Sequence, residues 1–217
     1  MKFFLKFTTQ LENIGDADYI VGTPDEDSEL FSRDNCHRHW HYLGYAEYLL
    51  FDQEGNPQPI GFKNGFCALD YRCKDEALYK YSCDYMGISA GCYDVYNSEL
   101  LCQWVDLTDV ESGFYTLVVR VNHNQAADLF GRKELDYNNN WAQVCLDIKR
   151  TNGKLDVVVV EDCPSYTDCT GEVYGSTTSD CNGACGGDAL FGDINVDGSL
   201  DDKDLEVYRV KMKDGLL

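Results

Sequence analysis

Hydrophobic and polar positions alternate along several short stretches of this chain. In "FFLKFTTQL" and "YTLVVRV" the alternation is clean enough to indicate extended strands with one buried face. Runs of β-branched and aromatic residues recur between clusters of Gly, Asn and Asp, and segments with helical periodicity are scarce. The pattern therefore predicts strands over residues 3–15, 37–52, 113–122, 142–150 and 154–162.

The stretch from Ile60 to Gln103 has a different character, because it is rich in cysteine and reads as loops. Bridges between cysteines would hold such a segment together more than packing would. Combined with the strand pattern, this predicts an all-β fold, namely a disulfide-pinned β-sandwich with long loops.

Composition narrows the class of protein. The 217 residues are enough for one domain with a small appendage. With 38 acidic against 18 basic residues the formal net charge is −20, which argues against nucleic acid and anionic membranes as partners. No apolar stretch approaches the roughly 20 residues of a membrane helix. Eleven cysteines indicate an oxidising compartment, so we expect a secreted protein. Because the first residues read as a strand and not as a leader, we expect that Met1 is not the native start.

Three of the four histidines stand in "CHRHWH", at positions 37, 39 and 41. On a strand, side chains two positions apart project from the same side, so His37, His39 and His41 would converge. Three imidazoles suit zinc, copper, nickel or non-haem iron and leave coordination positions open for chemistry. The spacing predicts a metal site without choosing the metal, and the alternative is a histidine-rich polar strand face.

Beyond Cys163 the composition shifts to Gly, Asp, Thr and Cys. We expect a domain over 1–163, a Cys/Gly-rich linker over 164–190 and a small calcium-binding module over 191–217. The module rests on "DINVDGSLDDKD", whose Gly198 suits the sharp turn of a calcium loop and whose terminal Asp resembles the loops of dockerin modules, which bind scaffold partners. The alternative is an acidic solvated turn. The predicted calcium ligands are Asp193, Asn195, Asp197, Ser199 through its carbonyl, Asp201 and Asp204.

Several segments, in this order, resemble the catalytic domain of the lysyl oxidase family: "CHRHWHYLGYAEYLLFD", "GFKNGFCALD", "GCYDVYNSELLCQWVDLTDVESGFYTL" and "LDYNNNW". The likeness covers roughly residues 3–163, and "HWHYLGYAEY" is closer to microbial members. It implies copper(II) at His37, His39 and His41. It also implies a lysine tyrosylquinone built from Lys63 of "GFKNGFC" and Tyr96 of "GCYDVY", which would serve as the catalytic residues.

The resemblance further implies a secreted copper amine oxidase, of protein-lysine 6-oxidase type, that turns lysine-bearing proteins or small primary amines into aldehydes with release of hydrogen peroxide and ammonia. A catalytic base should be a carboxylate or histidine near the cofactor. The sequence leaves four candidates open, Asp94, Asp106, Asp109 and His123.

Family-like bridging implies the pairs Cys67–Cys83, Cys73–Cys92 and Cys145–Cys163. Cys36 and Cys102 then either bond to each other or need a segment upstream, and Cys169, Cys181 and Cys185 leave one thiol over.

Two other functions are compatible with the motifs. One is a non-catalytic secreted module of a surface or scaffold protein that binds copper and calcium, but it has no need for both Lys63 and Tyr96. The other is a zinc hydrolase built on the three histidines, for which the nearby sequence offers no obvious glutamate base.

Overall fold

The computed structural model describes residues 2–33, 39–58, 65–75, 79–100, 103–175, 177 and 184–187. All regular elements within these residues are β-strands, so the predicted all-β class is confirmed. The strands are β1 Phe4–Leu5, β2 Thr9–Glu12, β3 Tyr19–Gly22, β4 Phe31–Arg33, β5 Trp40–Leu43, β6 Ala46–Phe51, β7 Gly65–Phe66, β8 Arg72–Cys73, β9 Met86–Ile88, β10 Cys92–Tyr96, β11 Val105–Asp106, β12 Gly113–Val121, β13 Trp141–Thr151 and β14 Lys154–Val160.

The largest sheet is antiparallel, with the strand order β14-β13-β12-β6. Alternate residues of each strand face one core, as Tyr115 and Leu117 of β12 and Leu146 and Ile148 of β13 show. Tyr48 of β6 joins the same core and is fully buried. Strand predictions for this sheet are confirmed within a residue or two for β12 and β13, because long alternation with one buried face leaves little freedom in register.

Two of the predicted strands are interrupted. Residues 3–15 form β1 and β2, and the alternation of buried and exposed side chains continues across both. Residues 39–52 form β5 and β6, separated by a turn at Gly44, whose φ of 71° is in the left-handed region that glycine adopts without strain. The turn re-aims the chain, so that β5 joins a different sheet from β6.

Two three-stranded sheets place the residues of interest. In one, β10 lies between β2 and β8; in the other, β5 lies between β4 and β7. Two-stranded pairs, β1 with β11 and β3 with β9, complete the sheets of the described residues. Buried side chains of these small sheets, among them Tyr42, Phe66 and Cys92, belong to the same core as the large sheet.

Disulfides tie the short strands together. The predicted pairs Cys67–Cys83, Cys73–Cys92 and Cys145–Cys163 are confirmed. Cys73 and Cys92 are also direct partners across β8 and β10. The remaining pair within the described residues is Cys169–Cys185. Cys36, Cys102 and Cys181 lie outside the described residues, so their pairing stays open.

The chain divides into two compact units, residues Met1–Cys163 and Pro164–Leu217. In the described part of the second unit, Asp168 accepts hydrogen bonds from the backbone N–H groups of Thr170, Glu172 and Thr177, and Cys169 bonds to Cys185. A search of the described residues for a helix long and apolar enough to span a bilayer finds none.

Candidate active site

Tyr96 ends β10, the central strand of its sheet. Because side chains alternate along a strand, Cys92, Asp94 and Tyr96 share one face. Asp94 is only 3% exposed, whereas Tyr96 is partly exposed and packs against the core. Cross-strand pairing sets Asp94 opposite Leu11 and Tyr96 opposite Thr9 of β2. A buried carboxylate and the Tyr96 phenol are thus fixed side by side.

The Tyr96 side chain has three contacts, two at its hydroxyl and one at its ring. It lies 2.6 Å from Oδ2 of Asp94, to which it donates, and 3.0 Å from the backbone carbonyl oxygen of Cys67. The ring of Phe66 meets the Tyr96 ring edge-on, with centroids 4.8 Å apart and planes at 88°. These contacts fix the ring plane and its hydroxyl, as chemistry at the ring requires.

Burial dominates the acid–base properties of this pair. Desolvation raises the pKa of Asp94 to about 7, against the hydrogen bonds from Tyr96, the Val95 N–H and the Leu69 N–H, and the like charge of Asp70 adds to the rise. Burial, and then the negative charge of Asp94, raise the pKa of Tyr96 well above its usual range. Near neutral pH Asp94 therefore changes ionisation while Tyr96 keeps its proton.

Further tyrosines surround the pair. Tyr48 is fully buried; its hydroxyl lies 3.1 Å from Oγ1 of Thr9 and accepts a hydrogen bond of 2.8 Å from Nε2 of Gln103. Tyr45 stacks on Tyr19 with centroids 5.5 Å apart. Burial raises the pKa of both Tyr45 and Tyr48, so both phenols stay neutral beside the site.

The histidines lie at the start of β5. His41 is 1% exposed, and its ring meets that of His39 edge-on with centroids 4.9 Å apart. Two-residue spacing on an extended chain predicts this neighbouring placement. His37, the first member of the predicted triplet, lies outside the described residues.

Phe66 and Cys67 connect the histidine pair to Tyr96. Phe66 pairs with Tyr42, the residue after His41, across β7 and β5. Cys67 reaches both sides, because its sulfur lies within 4.8 Å of a ring nitrogen of His39 while its carbonyl oxygen faces Tyr96. The sulfur is bonded to Cys83 and so offers no thiolate to a metal. Cys67 thus has His39 near its side chain and Tyr96 at its carbonyl oxygen.

The remaining predicted site residues either lie away from Tyr96 or fall outside the described residues. Lys63 and the predicted calcium ligands between 193 and 204 are outside the described residues. Asp106 caps the Thr108 N–H, Asp109 is exposed, and His123 lies 3.6 Å from a carboxylate oxygen of Glu47. Of the four carboxylate and histidine candidates for a base, Asp94 contacts Tyr96.

Sequence reasoning did not single out Phe66 and Cys67, although both touch Tyr96. Their contribution depends on the pairing of β5 with β7, which no local pattern reveals. The contact between Asp94 and Tyr96 did have a sequence signal, since two residues apart on a strand they share a face.

Residues 1–163 of the chain are similar to known proteins. The family model for lysyl oxidase matches residues 1–163. Lysyl oxidase homolog 2 of Xenopus tropicalis is 36% identical over 140 residues, which is 63% of this chain and 17% of that protein. Lysyl oxidase homolog 1 of Homo sapiens is 37% identical over 126 residues, 56% of this chain and 21% of that protein. Protein-lysine 6-oxidase of Gallus gallus is 34% identical over 143 residues, 64% of this chain and 32% of that protein. The matched segment spans a third or less of the length of these relatives. The lysyl oxidase family model, however, covers three quarters of this chain. The chain belongs to the lysyl oxidase family.

Proposed function

We propose that this protein is a secreted copper-dependent amine oxidase that converts primary amines to aldehydes and releases hydrogen peroxide and ammonia. The observation that carries the proposal is the position of Cys67: its sulfur lies within 4.8 Å of a ring nitrogen of His39 and its carbonyl oxygen lies 3.0 Å from the Tyr96 hydroxyl, which supports a site shared by the histidine pair and Tyr96. The four disulfides among the described residues favour an oxidising, extracellular location.

The residues present fit copper. His39 and His41 offer imidazole nitrogens, His41 from a buried and His39 from a partly buried position, and His37 would complete a set of three ligands. The residues also fit a cofactor made from Lys63 and Tyr96. Lys63 precedes Phe66 by three residues, a tether of at most about 11 Å even when fully extended, and Phe66 touches the Tyr96 ring.

When bound, copper would supply one-electron redox chemistry and the lysine tyrosylquinone an electrophilic carbonyl for the amine. The chain's own residues provide the geometry. Asp94 and the Cys67 carbonyl hold the Tyr96 oxygen, and Phe66 supports the ring edge-on.

Charge supports a cationic substrate. A formal net charge of −20 attracts ammonium groups, although salt screens that attraction beyond roughly 10 Å. The relative from Gallus gallus is named for oxidation of protein lysine, and we extend lysine side chains or small primary amines to this chain as the substrate class. The calcium loop at 193–204, and a scaffold partner reached through it, remain part of the proposal.

The test is reconstitution of the purified chain with copper in air. Peptide mass spectrometry should find one species joining the Lys63 and Tyr96 peptides, and peroxide should form when a primary amine is added. Tyr96→Phe and Lys63→Arg should each lose both signals while still binding copper. Bound copper in the unchanged protein without the joined peptide or peroxide would refute the oxidase and leave a binding module.

A further inference from the structure

We propose that Asp94 takes the phenolic proton of Tyr96 when the chain builds its cofactor. The inference deepens the proposed function and rests on it. It assigns a role to a carboxylate that is nearly inaccessible to solvent and lies 2.6 Å from the hydroxyl that must react.

The two oxygens of Asp94 have different environments. Oδ1 accepts the Val95 N–H at 2.8 Å, which orients the carboxylate, and Oδ2 is the oxygen that meets Tyr96. The neighbouring buried Asp70 differs, since its carboxylate accepts hydrogen bonds from the backbone of Lys80, Tyr81 and Ser89 and from the Ser89 hydroxyl. Asp70 therefore holds loop backbone and Ser89, whereas Asp94, which also accepts the Leu69 N–H, keeps Oδ2 in contact with the reacting group.

Cys67 gives the pair two complete hydrogen-bonding arrangements. With Asp94 ionised, the Tyr96 hydroxyl donates to Oδ2. With Asp94 protonated, Oδ2–H donates to the Tyr96 oxygen, and the Tyr96 hydroxyl turns to the Cys67 carbonyl 3.0 Å away. The pair thus holds either one proton or two while a hydrogen bond joins the Asp94 and Tyr96 oxygens in both states.

The step itself is a proton transfer. The Tyr96 O–H bond breaks, its electron pair stays on the phenol oxygen, and the proton forms a new O–H bond on Oδ2 of Asp94. The later oxidation of the ring would depend on the redox chemistry that copper and oxygen would supply in the proposed function. The titratable groups facing the pair are Asp70, Tyr45 and Tyr48. The phenols of Tyr45 and Tyr48 stay neutral and therefore do not accept the proton. The acceptor is the ionised form of Asp94, and because burial raises the pKa of Asp94 to about 7, this form prevails only above neutral pH.

One experiment follows cofactor formation in time. Metal-free protein receives copper and oxygen at a series of pH values, and mass spectrometry quantifies the joined Lys63–Tyr96 peptide. In the unchanged protein the rate should rise with pH through the neutral range. Asp94→Asn should slow it about a hundredfold or more and abolish this pH dependence, and Asp94→Glu should restore part of both. Asp94→Asn maturing at the unchanged rate with the same pH profile would overturn the inference.

A second readout needs neither metal nor activity. Tyrosines labelled with carbon-13 at Cζ report hydrogen bonding at each phenol, and Tyr96→Phe identifies the Tyr96 signal among the 15 tyrosines. In metal-free protein that signal should shift with pH as Asp94 titrates and stay constant in Asp94→Asn, while the other signals show that the variant is folded. If the joined peptide never forms, the proposed function fails; if the Tyr96 signal fails to follow Asp94, this inference fails instead.

Discussion

Replacing Asp94 with Asn should make the stability of the metal-free protein less dependent on pH. Burial raises the pKa of Asp94 from 3.8 to about 7 in the folded chain, and in the unfolded chain the carboxyl is in water. Between these values the folded state keeps a proton that the unfolded state has released. Protonation therefore favours folding at low pH, and the contribution of Asp94 to stability is lost as pH rises from about 4 towards 7 and above.

The magnitude follows from the size of the pKa difference. Each pKa unit corresponds to about 1.4 kcal/mol, so a rise from 3.8 to about 7 amounts to ~4 kcal/mol over the full interval. That is a large part of the 5–15 kcal/mol that typically separates folded from unfolded domains (about 0.1 kcal/mol per residue). Asn has the size of Asp and an oxygen that can accept from Tyr96, but it carries no charge. The free energy of unfolding of Asp94→Asn should therefore not show this decrease with rising pH.

Urea unfolding at several pH values, followed by tryptophan fluorescence, measures the effect in both proteins. Subtracting the two curves cancels the other carboxylates, including Asp18 and Asp128, whose hydrogen bonds lower their pKa and whose contributions run in the opposite direction. Tyr96→Phe removes a hydrogen bond that lowers the pKa of Asp94 in the folded chain. The stability of this variant should therefore begin to fall at the same pH as that of the unchanged protein but continue to fall to higher pH. A difference between Asp94→Asn and the unchanged protein that stays flat within about 0.5 kcal/mol from pH 4 to 8 would refute the reasoning.

Three further substitutions test packing and hydrogen bonds, each by urea unfolding. Tyr48→Phe removes a buried hydroxyl that accepts from Gln103 and should cost about 1–3 kcal/mol, and no loss would contradict its role. Gly87→Ala should cost about 1–3 kcal/mol, because a Cβ there would lie 2.7 Å from the carbonyl oxygen of Tyr19; a neutral result would mean that the strand pair shifts freely. Arg150→Lys should cost about 2 kcal/mol, since a lysine cannot reproduce the guanidinium's bonds to three backbone carbonyls; equal stability would show that charge alone suffices.

Local hydrophobic periodicity predicts the strands of the large sheet well. The short strands of the smaller sheets depend instead on contacts between residues distant in sequence. Strands β12 to β14 are long, and a slip of one residue would turn their apolar side chains to solvent, so the sequence specifies them closely. Strands β7 and β8 have two residues each and lie in the segment read as loops. Their position depends on cysteine pairs and on partners distant in sequence, which hydrophobic alternation does not encode.

The candidate site shows the same division. Two-residue spacing predicts that the rings of His39 and His41 are neighbours and that Asp94 and Tyr96 share a face. It does not reveal which of four acid–base candidates is buried against the phenol, because burial depends on the packing of separate sheets. The bridging position of Cys67 likewise arises only when β7 pairs with β5.

The Cys67–Cys83 bond closes a loop across 16 residues of sequence separation. Closing a loop of about this length contributes roughly 3 kcal/mol by restricting the unfolded chain. The residue so anchored presents its carbonyl to Tyr96 and its sulfur to His39. The geometry around Tyr96 and His39 therefore depends on oxidative folding. A chain made in a reducing compartment would lack the Cys67–Cys83 bond. Protein for any assay should be produced in an oxidising secretory host.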